Sequence, residues 1–288
     1  MTISEAFRLY DLYGLQANNF APKTQANYRT ACNSLIRNIG DAPIELLTED
    51  AVIRWKVILQ QEGKSANYIY SCVKCLCKVL RYCRQQGRAV INPDSIDVPR
   101  RKRKTNHTYL TVEEIEKTVA ATRNPRDKAI VSALFHTGSR ISALLSVDRE
   151  YYEYAPATEH GNKELWVEDK AGNKSRLYFN TTVQAHIDAY LATRHDQLRP
   201  LFTSSQGKRI TVSRVEQILH ELEEVTGIRK NITPHVYRHS YASDIIYNGG
   251  SLKSLQVLMN HASIQVTGDI YSHLENREEE VFMRYHSH

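Results

Sequence analysis

The stretch YYEYAPATEHGNKELWVEDKAGNKSRLYF, residues 151–179, interrupts a chain whose other periodic segments show helical spacing. Within it YYEYA (151–155), ELWVE (164–168) and SRLYF (175–179) alternate apolar and polar residues, the period of a strand with one buried face. Gly161 and the triplet Ala171, Gly172, Asn173 separate these pieces. The spacing predicts a small antiparallel sheet set among helices.

Helical periodicity resumes on both sides. Downstream it predicts helices over 183–191, 212–225, 234–247 and 252–259. Upstream, LTVEEIEKTV (110–119) has Thr111 and Glu114 at capping-box spacing, and a further helix runs to a stop at Gly138. Four more helical patterns fill the amino-terminal third: one begins near Ser4, and three over 24–39, 48–62 and 65–86 close on Gly40, Gly63 and Gly87. In the second of them Tyr28, Ala31, Leu35 and Ile39 share a face. No internal repeat is visible. The fold class expected is mainly α with a small antiparallel β-sheet. An all-helical domain covers 1–99, a basic linker 100–107, and an α+β domain with a carboxyl-terminal tail 108–288.

Charge sharpens that division. Residues 1–104 hold 17 Lys and Arg against 9 acids, whereas residues 105–288 hold 21 against 23. The first segment is the stronger candidate for gripping a phosphate backbone. It closes on INPDSIDVPRRKRKTN (91–106), where prolines and the consecutive Arg100, Arg101, Lys102, Arg103 and Lys104 predict an extended, DNA-binding linker. No apolar run approaches the length of a membrane span, and the amino terminus has no basic-then-apolar secretory pattern, so a cytoplasmic protein without membrane association is expected.

Four of the five cysteines crowd into YIYSCVKCLCKVLRYC (68–83). Cys72, Cys75 and Cys83 recur at helical spacing with Leu76, Val79 and Leu80, so they are expected to pack as small hydrophobes. No second ligand pair with knuckle spacing follows, and no metal is expected.

Three patches carry polar chemistry where a plain helix would show only face and core: HTGSRISALL (136–145), ITPHVYRHSYAS (232–243) and LMNHASIQVTGDIYSHL (258–274). Arg140 follows a glycine stop, at the junction of two helices. His235 and Arg238 lie three apart in the opening turn of another, hence on one face. Helix amino termini attract anions, so Arg140, His235 and Arg238 are placed to converge on one phosphate.

Taken with AGNKSRLYF (171–179), these patches resemble, in order and spacing, the boxes of the tyrosine recombinases or phage-type integrases. The resemblance covers the carboxyl-terminal half motif by motif. The helical first half matches the family's core-binding domain in character only. It implies a site-specific recombinase that cleaves and rejoins DNA through a covalent 3′-phosphotyrosine. Arg140 and Arg238 would hold the scissile phosphate, His235 and His261 would bond its oxygens, Lys174 would protonate the leaving 5′ oxygen, and Tyr271 would attack. Lys170 is the competing lysine, but the family spacing Gly-x-Lys-x-Arg falls on Gly172, Lys174 and Arg176. His239, Tyr271's fellow aromatics and any single box would otherwise pass as ordinary structural residues; the joint spacing separates the six.

The chemistry follows from the residue types. A phosphodiester under attack gains negative charge, so fixed cations and donors stabilise the transition state more than the ground state. A tyrosine, with a pKa of about 10, needs neighbouring cations or a base to become a nucleophile. The phosphotyrosyl ester conserves the bond energy, so no cofactor or nucleotide is expected, and no Walker-type glycine loop is present.

Two positions depart from the family pattern. Ala143 stands where an acid usually follows the first Arg by three, with Asp148 and Glu150 as candidates to replace it; Asn260 stands for the Gly before the last His. The resemblance further implies double-stranded DNA with paired inverted half-sites, a homotetramer on DNA, and room for accessory DNA-bending proteins. The tail HLENREEEVFMRYHSH (273–288) offers Val281, Phe282 and Tyr285 either to its own domain or to a neighbouring protomer. The rival functions are a catalytically silent DNA-binding relative and a type IB topoisomerase.

Overall fold

The computed structural model of the protein describes residues 1–99, 108–168 and 174–259. The chain divides into two compact units, Met1–Lys104 and Thr105–His288. The basic run Arg100 to Lys104, the competing Lys170, and Asn260, His261, Tyr271 and the tail lie outside the described residues.

The first unit is helical. Helix α1 (Ile3–Tyr10) starts on Thr2, whose hydroxyl accepts from the Glu5 amide while the Glu5 carboxylate accepts from the Thr2 amide at 2.9 Å. Helices α2 (Pro22–Ile39), α3 (Glu49–Gln61) and α4 (Ala66–Gln85) follow. Thr48 and Ser65 cap the last two with their side chains. A π-helical turn at Asp11–Gln16 and a 3-10 turn at Ile44–Leu46 are too short to leave a periodic signal in sequence. Trp55 is fully buried at the centre, its indole N–H donating to Ser34 Oγ at 3.1 Å. Cys72, Cys75 and Cys83 pack on the apolar face as expected, and so does Cys77, which the spacing had left aside. The segment after α4 covers a second side of that helix: Cys77 Sγ lies 3.6 Å from the Pro93 carbonyl, and Val90 and Ile96 are buried. Burial pushes all four thiols upward, Cys75 to about 12.

The second unit is built around α6 (Pro125–Thr137), in which seven consecutive residues from Ala129 to Phe135 are buried. A helix apolar all round belongs at the centre of a layered domain. It packs against α5 (Val112–Ala121), α9 (Thr181–Leu191), α11 (Pro234–Tyr247) and the second strand of the sheet. Short helices α7 (Ile141–Ser146) and α8 (Arg149–Glu153) lead into the antiparallel pair β1 (Lys163–Glu168) and β2 (Lys174–Phe179). Helices α10 (Val212–Thr226) and α12 (Leu252–Leu258) complete the order. Among the described residues no helix is long and apolar enough to cross a membrane.

The strands match ELWVE and SRLYF, but YYEYA is not a strand. Tyr151 to Glu153 finish α8, with Tyr152 buried and its hydroxyl donating to Asp188 Oδ1 at 2.8 Å. One buried residue between exposed neighbours looks the same in a five-residue helix as in a strand. The sheet faces are sharply divided. Leu165, Val167, Leu177 and Phe179 point into the core, whereas Glu164, Trp166 and Glu168 share the outer face with Tyr178, Arg176 and Lys174, in that cross-strand register.

Candidate active site

Gly138 closes α6 in a left-handed conformation with φ of 56°, and its position allows no side chain, because a Cβ there would overlap the Tyr241 ring. The turn is tied locally: Thr137 Oγ1 donates to the Ala133 carbonyl at 2.7 Å and accepts from the Ser139 amide at 3.3 Å. The chain then enters α7 with Arg140 as its N-cap residue, exposed. This is the helix-to-helix junction expected from HTGSR.

Helix α11 begins at Pro234, with the Thr233 hydroxyl accepting from the Val236 amide at 3.2 Å. His235 in its first turn is exposed, whereas Arg238 is only 6% exposed. A buried guanidinium needs its donors used. Nη1 of Arg238 donates to the Gly138 carbonyl at 2.7 Å and Nη2 to the Met259 carbonyl at 2.6 Å. One side chain thereby joins the HTGSR turn, two residues before Arg140, to the chain two residues before His261. The first two boxes meet here, with the approach to the third.

Lys174 opens β2 on the outer face, paired in register with Glu168 and exposed. Its neighbour on that face, Arg176, is held from several sides. Nη1 donates to the Tyr178 hydroxyl at 2.6 Å, Nε lies 3.4 Å from Glu164, and the guanidinium stacks 4.6 Å from the Trp166 ring centre.

A family model described as the Phage integrase family matches residues 108–278. The chain belongs to the phage integrase family. Its activity is that of a tyrosine recombinase, a DNA strand-cleaving and rejoining enzyme. This integrase is 26% identical over 289 residues to tyrosine recombinase XerD of Listeria monocytogenes serotype 4b (strain F2365), covering 95% of this chain and 94% of that one. Its fold is similar to that of the Tn1549 transposon integrase in complex with a circular intermediate DNA, with TM-score 0.78, 17% identity and 99% of each chain covered. It is also similar to a lambda integrase dimer bound to a COC′ core site, with TM-score 0.74, 18% identity, and 92% of this chain and 97% of that one covered.

Two tyrosines of α11 pack beside the integrase's candidate site. Tyr237 is fully buried with its hydroxyl against that of Thr118, and burial raises its pKa. Tyr241, packed on the Gly138 turn, is pushed up to about 12 by burial, although Arg238 opposes the shift. Both serve as packing for α11.

The departure at position 143 has a structural counterpart. Ala143 is 3% exposed and belongs to the core cluster. Asp148, just beyond α7, is engaged by two arginines: Arg199 holds one of its oxygens at 2.8 Å and Arg209 the other at 2.5 Å. Arg209 also donates to the Leu145 and Val147 carbonyls, so this cluster fastens the end of α7. Glu150 lines a hollow with Trp166 and Glu164. Nothing in the sequence around Arg199 and Arg209 signalled this clamp, since its members lie about fifty to sixty residues from Asp148.

Proposed function

We propose that Tyr271 is the nucleophile of this recombinase and that Arg140, Arg238, His235, His261 and Lys174 form the rest of its catalytic set. The observation that carries this is the Arg238 guanidinium joining the Gly138 and Met259 carbonyls, which fastens the turn leading to Arg140 to the segment leading to His261. Tyr237 and Tyr241, the phenols on α11, are taken up in packing, and burial raises the pKa of each.

In this mechanism the phenolate oxygen of Tyr271 attacks the scissile phosphorus in line with the 5′ oxygen. The P–O5′ bond breaks, Lys174 gives its proton to the departing 5′ oxygen, and a 3′-phosphotyrosyl ester remains. Attack by a 5′ hydroxyl from another strand reverses these steps and rejoins the DNA. Removing any one fixed donor costs about 10² to 10³ in rate. The substrate is double-stranded DNA with paired inverted half-sites, bound by a homotetramer in the cytoplasm, with accessory DNA-bending proteins where the site demands them. Arg100, Arg101, Lys102, Arg103 and Lys104 bind phosphates. Their neutralisation should therefore weaken binding and flatten its salt dependence, by roughly 0.9 in logarithmic slope for each phosphate that is no longer neutralised.

The decisive experiment incubates the full chain with a nicked suicide substrate bearing its site. A denaturation-resistant adduct should form with the wild type and vanish with Tyr271→Phe. Persistence of the adduct in that variant would move the nucleophile elsewhere.

A further inference from the structure

Exposed aromatic rings from the end of α8 and from β1 gather beside the hairpin. Trp166 is 55% exposed, Tyr151 is 60% exposed and Tyr154 is 83% exposed. Together with Pro156, Glu150 and Glu164 they line an open hollow of about 410 Å³. Large apolar surface gathered in one concavity marks a contact site more often than a solvated one.

The two carboxylates decide what fits. Glu150 disfavours a phosphate there and, with the ring faces, draws a cation. The fold already makes this kind of contact in the same neighbourhood: Arg176 stacks on Trp166, and Lys163 Nζ lies 4.4 Å from the ring centre of Tyr152. Glu164 is shared with Arg176 at 3.4 Å, which makes Glu150 the carboxylate that an incoming charge would engage.

We propose that this hollow docks a basic segment of a partner protein, which inserts a lysine or arginine side chain between the rings of Tyr151, Tyr154 and Trp166 with its charge at Glu150. None of these residues takes part in the strand-transfer chemistry, so the docking stands apart from the assignment of Tyr271.

Tryptophan emission reads this site directly. The chain has two tryptophans, and Trp55 is fully buried, so a change on titration reports Trp166. The probe is an acetylated, amidated pentapeptide with lysine between two leucines, with a glutamate counterpart as control. The lysine peptide should give a saturable change whose half-saturation rises at least about threefold in Glu150→Gln and in Tyr154→Ala. The glutamate peptide should give none. Both substituted positions are exposed, and circular dichroism checks that the fold is retained; Tyr154→Ala should also form the DNA adduct at the wild-type rate. An equal response to the glutamate peptide, no response, or unchanged half-saturation in both variants would overturn the proposal. So would displacement of the peptide by duplex DNA, which would give the face to the DNA interface. Self-association that disappears in Tyr154→Ala would give it to a second copy of the chain and equally overturn it.

Discussion

The Arg238 guanidinium donates to the Gly138 carbonyl at 2.7 Å across one hundred residues of chain, so the second box of the catalytic unit is fastened to the turn that presents the first. Because a second terminal nitrogen reaches the Met259 carbonyl, the planar fork of an arginine is needed here and not merely a positive charge. Arg238→Lys should lose at least one of the two bonds. We expect cleavage to fall by about 10² or more and stability to drop by roughly 1.5–3 kcal/mol, the range for hydrogen bonds to charged groups. Adduct formation and denaturant unfolding measure the two separately. Wild-type stability with reduced cleavage would mean that the guanidinium serves the phosphate alone.

Gly138→Ala forces a side chain into a left-handed backbone position and against the Tyr241 ring. The strained backbone alone should cost about 1–2 kcal/mol, and the ring must also shift. Since the carbonyl of residue 138 anchors Arg238, cleavage should fall with stability. An unchanged unfolding midpoint in urea would show that the turn relaxes freely.

His136 ties its stability contribution to pH. Its Nδ1 lies 3.2 Å from the Asn180 amide nitrogen, and that amide is oriented by its oxygen, which accepts from the Val183 amide at 3.0 Å. The ring nitrogen must therefore accept, which requires the neutral imidazole. Burial first, and then the neighbouring His186, hold its pKa below the ordinary value. Below about pH 6.5 the unfolded chain takes up a proton that the folded chain resists, so this contribution is present above that pH and is lost as pH falls. Thermal melting between about pH 7 and 5 should be less pH-dependent in His136→Gln than in the wild type. Identical profiles would place the titration on another group.

Ala143→Glu would place the acid that the family resemblance implies at this position, but the site is closed around a methyl group. Overpacking of about 1–3 kcal/mol, together with a carboxylate taken into the core, should lower the melting temperature. We expect no gain in cleavage, since Asp148 and its two arginines already hold the end of α7. A more stable or more active variant would mean that a site cation reaches position 143.

The sequence by itself determined the longer helices, the two strands and the order of the motifs. Helix caps such as Thr2 with Glu5 and Thr111 with Glu114, and the alternation in ELWVE and SRLYF, are local signals that act within a few residues. It also singled out Arg140, Lys174, His235, Arg238, His261 and Tyr271 as candidates among the chain's cations, imidazoles and phenols; His261 and Tyr271 lie outside the described residues. What tertiary structure alone decided depends on partners distant in sequence. YYEYA became the end of a helix because Tyr152 found Asp188 and Phe179. Cys77 was buried because residues 90–96 cover α4. Arg238 and Asp148 acquired their roles from carbonyls and guanidiniums that no periodicity could announce, since a hydrogen bond across fifty to a hundred residues leaves no local pattern in the chain.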